Sequence, residues 1–121
     1  MVKLLPAFDK IAGPELGAIP LATVLSLETG KPFVIVRKTE KGYGTSKFIE
    51  GELKENEKVV LIEDVLTTGN QALAAARKVE ETGARVVMIL GVIDREEGAR
   101  ENIEKAGYRL KTVFTKSELG L

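Results

Sequence analysis

Residues 58–71 read KVVLIEDVLTTGNQ. Val59, Val60, Leu61 and Ile62 form an apolar run without polar alternation, the pattern of a strand covered on both faces in a parallel sheet. Two acids, Glu63 and Asp64, leave its end. Thr67, Thr68 and Gly69 then turn the chain into a helix expected over residues 70–82, with Leu73, Ala76 and Val79 inward and Gly83 closing it. Before this stretch, a strand over 8–13 meets the turn Gly13-Pro14-Glu15-Leu16-Gly17. A helix follows with Leu21, Val24 and Leu25 on one side, and Gly30 ends it. Residues 32–36 repeat the buried-strand pattern, and 85–93 and 109–114 supply two further strands. Between those two lies a helix over 96–106 with Ala99, Ile103 and Ala106 on one face. Strands alternating with helices predict an α/β fold, a mainly parallel twisted sheet flanked by helices on both faces and Rossmann-like in plan. Ligands of such sheets bind at the carboxyl ends of the strands.

Composition narrows the chemistry. The chain has 121 residues, enough for one domain, and its 18 basic and 18 acidic side chains cancel. No single-sign field that would track nucleic acid is expected. Cysteine and histidine are absent, which removes disulfides, thiolate metal sites and the commonest general base. No apolar stretch approaches the roughly twenty residues that span a bilayer, and the start MVKLLPAFDK lacks a signal-peptide layout. A soluble, cytoplasmic chain is expected, acting through carboxylates, lysine, arginine, hydroxyls and backbone amides.

The turn after Glu63 and Asp64 places unpaired amides and two hydroxyls at a helix N-terminus, where the macrodipole favours an anion such as a monophosphate. The neighbouring carboxylates suit the vicinal hydroxyls of a sugar, directly or through a divalent cation. The blander alternative makes Asp64 a turn cap and Thr67 or Thr68 an ordinary N-cap. Against it, two adjacent acids repel each other and gain nothing structural from being neighbours.

Three other clusters border this one. Arg37, Lys38 and Lys41, followed by Gly42, Tyr43 and Gly44, begin a polar segment at about 38–57, read as a loop or weak hairpin. It serves either as a lid over pyrophosphate or as a solvated basic loop. Asp94-Arg95-Glu96-Glu97-Gly98 reads as a helix start with Asp94 as N-cap and Glu97 as its capping-box partner, and Arg95 leaves the same sheet edge as the phosphate turn. Residues 11–20, IAGPELGAIP, are either a second phosphate-approaching loop or a Gly/Pro turn that starts a helix.

Taken together these motifs resemble the type I phosphoribosyltransferases, whose fingerprint is an apolar strand, two acids, two variable residues and Thr-Thr/Ala-Gly. Among them, the Arg-Lys-x-x-Lys pattern of Arg37, Lys38 and Lys41 and the run Asp94-Arg95-Glu96-Glu97-Gly98 are similar to orotate phosphoribosyltransferases. The resemblance implies transfer of phosphoribosyl from 5-phosphoribosyl-1-pyrophosphate (PRPP) to orotate, giving orotidine 5′-monophosphate and pyrophosphate in pyrimidine nucleotide biosynthesis. It implies that Glu63 and Asp64 hold the ribose hydroxyls, that Thr67, Thr68, Gly69, Asn70 and Gln71 wrap the 5-phosphate, and that Val65 and Leu66 also bind PRPP. Arg37, Lys38, Lys41 and Tyr43 would meet the pyrophosphate, and Thr67 and Arg95 the orotate. Lys41, Glu63 and Asp64 take the catalytic roles, Mg2+ arrives on PRPP without direct protein ligands, and a homodimer shares Lys41 across subunits. No nucleic-acid or membrane partner is implied. The expected organisation is a single core domain over 1–121 with a mobile catalytic loop at about 38–57, lacking an N-terminal hood that the family usually carries. Departures from the family pattern are Tyr43 for histidine, Gly17 for lysine, and Asn70 and Gln71 for small residues. A non-catalytic PRPP sensor or regulatory module, or a transferase for another base, are the competing functions.

Overall fold

The computed structural model describes residues 1–42 and 47–121. A 3-10 turn, Val2–Leu4, precedes β1 (Lys10–Pro14), α1 (Ala18–Thr29), β2 (Phe33–Val36), β3 (Ile49–Glu50), β4 (Lys58–Leu66), α2 (Asn70–Glu80), β5 (Arg85–Asp94), α3 (Ala99–Lys105) and β6 (Leu110–Thr115). These strands form one sheet in the order β3-β2-β1-β4-β5-β6. Every neighbouring pair is parallel except β2 and β3, whose short antiparallel contact makes the stem of a hairpin. Among the described residues no helix is long and apolar enough to cross a membrane.

The strand pattern explains the layers. Val59, Val60, Leu61 and Ile62 are all fully buried, and successive side chains point to opposite faces. Val60 and Ile62 join Ile11, Ala22, Leu25, Met88 and Leu90 on the α1 face. Val59 and Leu61 join Ala12, Val34, Ile89, Leu73, Ala76 and Ile103 on the face covered by α2 and α3. Each such side chain contributes roughly 1.5–3 kcal/mol by leaving water. The chain winds one way from β1 to β2 and the other way from β4 to β6, so β1 and β4 flank the point where the strand order reverses. A crevice opens there at the carboxyl ends of the strands.

Several boundaries differ from expectation for identifiable reasons. The first strand spans Lys10–Pro14, not 8–13. The first helix turns Ala18, Ala22 and Leu25 inward and leaves Val24 half-exposed, because small residues let it lie close to Gly13, where an added Cβ would come within 2.8 Å of the Ala22 Cβ. The strand carrying the acids does not stop at them. Val65 and Leu66 continue the ladder opposite Ile93 and Asp94, and the Leu66 side chain fills the space over Gly91. The last helix begins at Ala99, with Gly98 as N-cap and no side-chain cap bond, so the Asp94 and Glu97 capping box does not form. Asp94 instead accepts the Glu96 N–H at 2.8 Å while Glu97 pairs with Arg95. Ala106 is exposed beyond the helix end.

Candidate functional site

A groove of about 480 Å³ runs along Glu63, Asp64, Val65, Leu66, Thr67, Thr68, Gly69, Asn70, Gln71 and Ala72, so the whole motif is one surface. Gly69 is the N-cap of α2, with φ at 85° in the left-handed region that favours glycine. No side chain caps the helix; the Thr68 hydroxyl accepts only a long bond from the Asn70 N–H, 3.4 Å. Thr67, Thr68, Asn70 and Gln71 are exposed at this amino-terminal end, which is what anion binding by amides and hydroxyls requires. Leu66 is 2% exposed, so its main chain alone borders the groove; its carbonyl accepts the Arg95 N–H at 2.9 Å.

The two acids have different surroundings because the strand alternates. Glu63 faces α2, is 8% exposed, and has its carboxyl pushed up to about 7 by burial and by the neighbouring Asp64, with Lys38 opposing. Asp64 faces the turn between β1 and α1 and is half-buried. One of its carboxyl oxygens accepts the Val65 N–H at 2.9 Å. The other lies 2.1 Å from where a Cβ would stand on Gly17. A glycine at 17 therefore makes room for the Asp64 carboxylate.

A second pocket, of about 200 Å³, shares Glu63 and Gln71 with the groove and adds Pro14, Glu15, Arg37, Lys38 and Lys78. The structure thus brings the basic pair beside the buried acid. Arg37 Nη1 is paired with Glu50 at 2.9 Å, while its buried Nε has no hydrogen-bond partner. Lys41 Nζ donates to the Ile49 carbonyl at 2.5 Å. Tyr43 lies outside the described residues. The side chain of Arg95 is half-exposed, pairs with Glu97 at 3.1 Å and does not line either cavity. Lys78 and Glu15 are site neighbours that sequence reasoning passed over. Gln71, Ala74, Ala75 and Lys78 line one pocket at the i, i+3, i+4, i+7 spacing of a single helix face, and that polar and small stripe was the signal available.

Comparison with known proteins identifies relatives of the chain. The phosphoribosyl transferase domain family matches residues 7–116. The chain is 56% identical over 112 residues to a protein of Pyrococcus abyssi named orotate phosphoribosyltransferase, covering 93% of this chain and 62% of that one. It is 48% identical over 120 residues to the one from Methanocella arvoryzae, covering 98% and 69%. Mycobacterium tuberculosis orotate phosphoribosyltransferase in complex with PRPP superposes with a TM-score of 0.83 at 35% identity, covering 99% of this chain and 70% of that one. The chain spans 59–62% of the length of the three Pyrococcus and Thermococcus relatives first matched.

Proposed function

Because the chain belongs to the phosphoribosyl transferase domain family, we propose that it binds PRPP at the groove after β4 and transfers its 5-phosphoribosyl group to orotate. The observation that carries this reading is that the two cavities share walls. The groove with the helix start and both acids and the pocket with the Arg37-Lys38 pair have Glu63 and Gln71 as common walls. The amides and hydroxyls of Thr67, Thr68, Gly69, Asn70 and Gln71 would hold the 5-phosphate, and Glu63 and Asp64 would accept the ribose hydroxyls. Arg37, Lys38 and Lys41 would neutralise the departing pyrophosphate. No covalent catalyst is needed: as the bond from C1 to pyrophosphate breaks, the sugar gains oxocarbenium character, and the protein's work is alignment and charge stabilisation.

Among the described residues no group of three or more His, Cys, Asp or Glu side chains converges to hold a metal. The acids at 63 and 64 lie on opposite faces of their strand, so no protein-held magnesium site is proposed. The ion enters as a companion of the pyrophosphate, whose charge it neutralises. Orotate as the base, Arg95 and Thr67 as its contacts, the cytoplasm as compartment and a homodimer sharing Lys41 complete the proposal. For Arg95 to serve, its guanidinium must exchange Glu97 for the orotate carboxylate, a planar partner it can bind through two parallel bonds.

The test is a panel of orotate, uracil, hypoxanthine and adenine with PRPP and magnesium on the 121-residue chain, reading nucleotide and pyrophosphate release. Orotidine 5′-monophosphate from orotate alone is expected. Tight PRPP binding by calorimetry without turnover of any base would convert the assignment to a PRPP sensor; no PRPP binding would remove it altogether.

A further inference from the structure

The base of the 38–57 segment is gripped from two sides. Where the chain leaves β2, the Lys38 N–H donates to the Glu15 carboxylate at 2.9 Å. From the opposite side Lys78 Nζ donates to the Arg37 carbonyl at 2.9 Å and to the Lys38 carbonyl at 3.4 Å. The same ammonium lies 4.4 Å from the centroid of the Phe48 ring, and the Phe48 carbonyl accepts the Arg37 N–H at 2.7 Å. Lys78 thus touches both the outgoing strand of the segment, at Arg37 and Lys38, and its return, at Phe48. A half-buried ammonium holding two main-chain carbonyls and an aromatic face restrains backbone, not a lone side chain.

Lys78 also sits seven residues after Gln71 on the same face of α2. The helix that begins at the phosphate-binding turn therefore ends its second turn on the base of the basic segment, and as a hydrogen-bonded rod it fixes one relative to the other.

We propose that Lys78 is a positioning residue: by clamping the main chain at Arg37 and Lys38 against α2 it sets where the Lys38 and Lys41 ammonium groups stand relative to the sugar phosphate. This rests on the transfer reading above. The Lys78 ammonium is spent on the Arg37 and Lys38 carbonyls and the Phe48 ring, so its removal acts through the basic segment. The step in which pyrophosphate departs is the one affected, while the helix start and the two acids that bind PRPP keep their geometry.

The experiment compares the full chain with Lys78→Met, which keeps an apolar stem against Phe48 but has no donors, and Lys78→Arg, which restores charge and donors. Lys78→Met is expected to lower kcat about tenfold, the scale set by losing charge-assisted hydrogen bonds. The PRPP dissociation constant should move less than about twofold, which separates loss in the transition state from loss of binding. Lys78→Arg should recover most of kcat. Amide hydrogen exchange should quicken in 37–42 and 47–50 of the methionine variant and keep the wild-type rate in β4 and α2. Unchanged kcat together with unchanged exchange at the loop base would overturn the proposal. So would faster exchange throughout the sheet with PRPP binding lost in step, because that describes a general stability role. If the wild-type chain turns over no base, the transfer reading fails in that control and the positioning role fails with it, while the exchange comparison still decides whether Lys78 clamps the segment.

Discussion

Burial lifts the Glu63 carboxyl to about 7, with Asp64 adding to the rise and Lys38 opposing it. In the unfolded chain the same group titrates near 4.5. A raised folded value means that the native state holds the proton more tightly, so this contribution to stability is complete below about 4.5 and is lost as the pH climbs to about 7. The full loss amounts to roughly 3 kcal/mol at 1.36 kcal/mol per unit. Glu63→Gln removes the ionisation. Urea unfolding should find the two proteins similar at pH 4.5 and the variant more stable at pH 8, while calorimetry finds weaker PRPP binding because one acceptor for the ribose is gone. A stability difference that does not vary with pH would show that Glu63 is not the titrating group. Gly17 supports a second prediction. An alanine there would put its Cβ 2.1 Å from an Asp64 carboxyl oxygen, and since that carboxylate is half-buried it can rotate away at little cost in stability. Gly17→Ala should therefore weaken PRPP binding about tenfold through a misplaced acceptor with a thermal midpoint near wild type. Unaltered affinity would mean that Asp64 does not need its present orientation.

Among the elements, α1 depends on what β1 lacks. A Cβ at Gly13 would meet the Ala22 Cβ at 2.8 Å and the Ala18 carbonyl oxygen at 3.2 Å, both on a helix that cannot yield locally. Gly13→Ala should cost about 1–3 kcal/mol in urea unfolding, the scale of overpacking; a loss below the error of the measurement would mean that α1 slides freely on the sheet. This packing also shows why sequence read some elements well and others poorly. The run at 59–62 and the helix from Asn70 were legible because burial on both faces and a glycine turn are written in adjacent residues. The inward face of α1 was not, since apolar residues surround that helix, and the choice of Ala22 over Val24 is made by Gly13 on another element. The start of α3 was misplaced for a similar reason. Asp94 is an ordinary N-cap by type, yet Glu96 and Gly98 take left-handed conformations with φ of 59° and 105° and delay the helix. In the candidate site, the Thr67-Thr68-Gly69 turn and the acids could be found by spacing, whereas Lys78 emerges only once α2 is laid beside the loop base.

On the scale of the whole molecule, the strand order gathers at one sheet edge the turn after β1, the basic pair after β2 and the acids of β4. Lys41, a proposed catalytic group, is held within its own chain at the hairpin stem, where its ammonium donates to the Ile49 carbonyl. A homodimer in which Lys41 crosses to the neighbouring site must give up that bond and place the ammonium beside the other subunit's Asp64. Mixing two inactive variants tests this directly. In a Lys41→Ala and Asp64→Ala heterodimer, one site takes an intact Asp64 from the first subunit and an intact Lys41 from the second, and the other site lacks both. Random reassortment makes half the dimers heterodimers, so the mixture should recover about a quarter of wild-type turnover while each variant alone stays inactive. If Lys41 serves the site of its own subunit, every site in the mixture carries one defect, and subunit exchange verified by sedimentation would leave the mixture as inactive as its components.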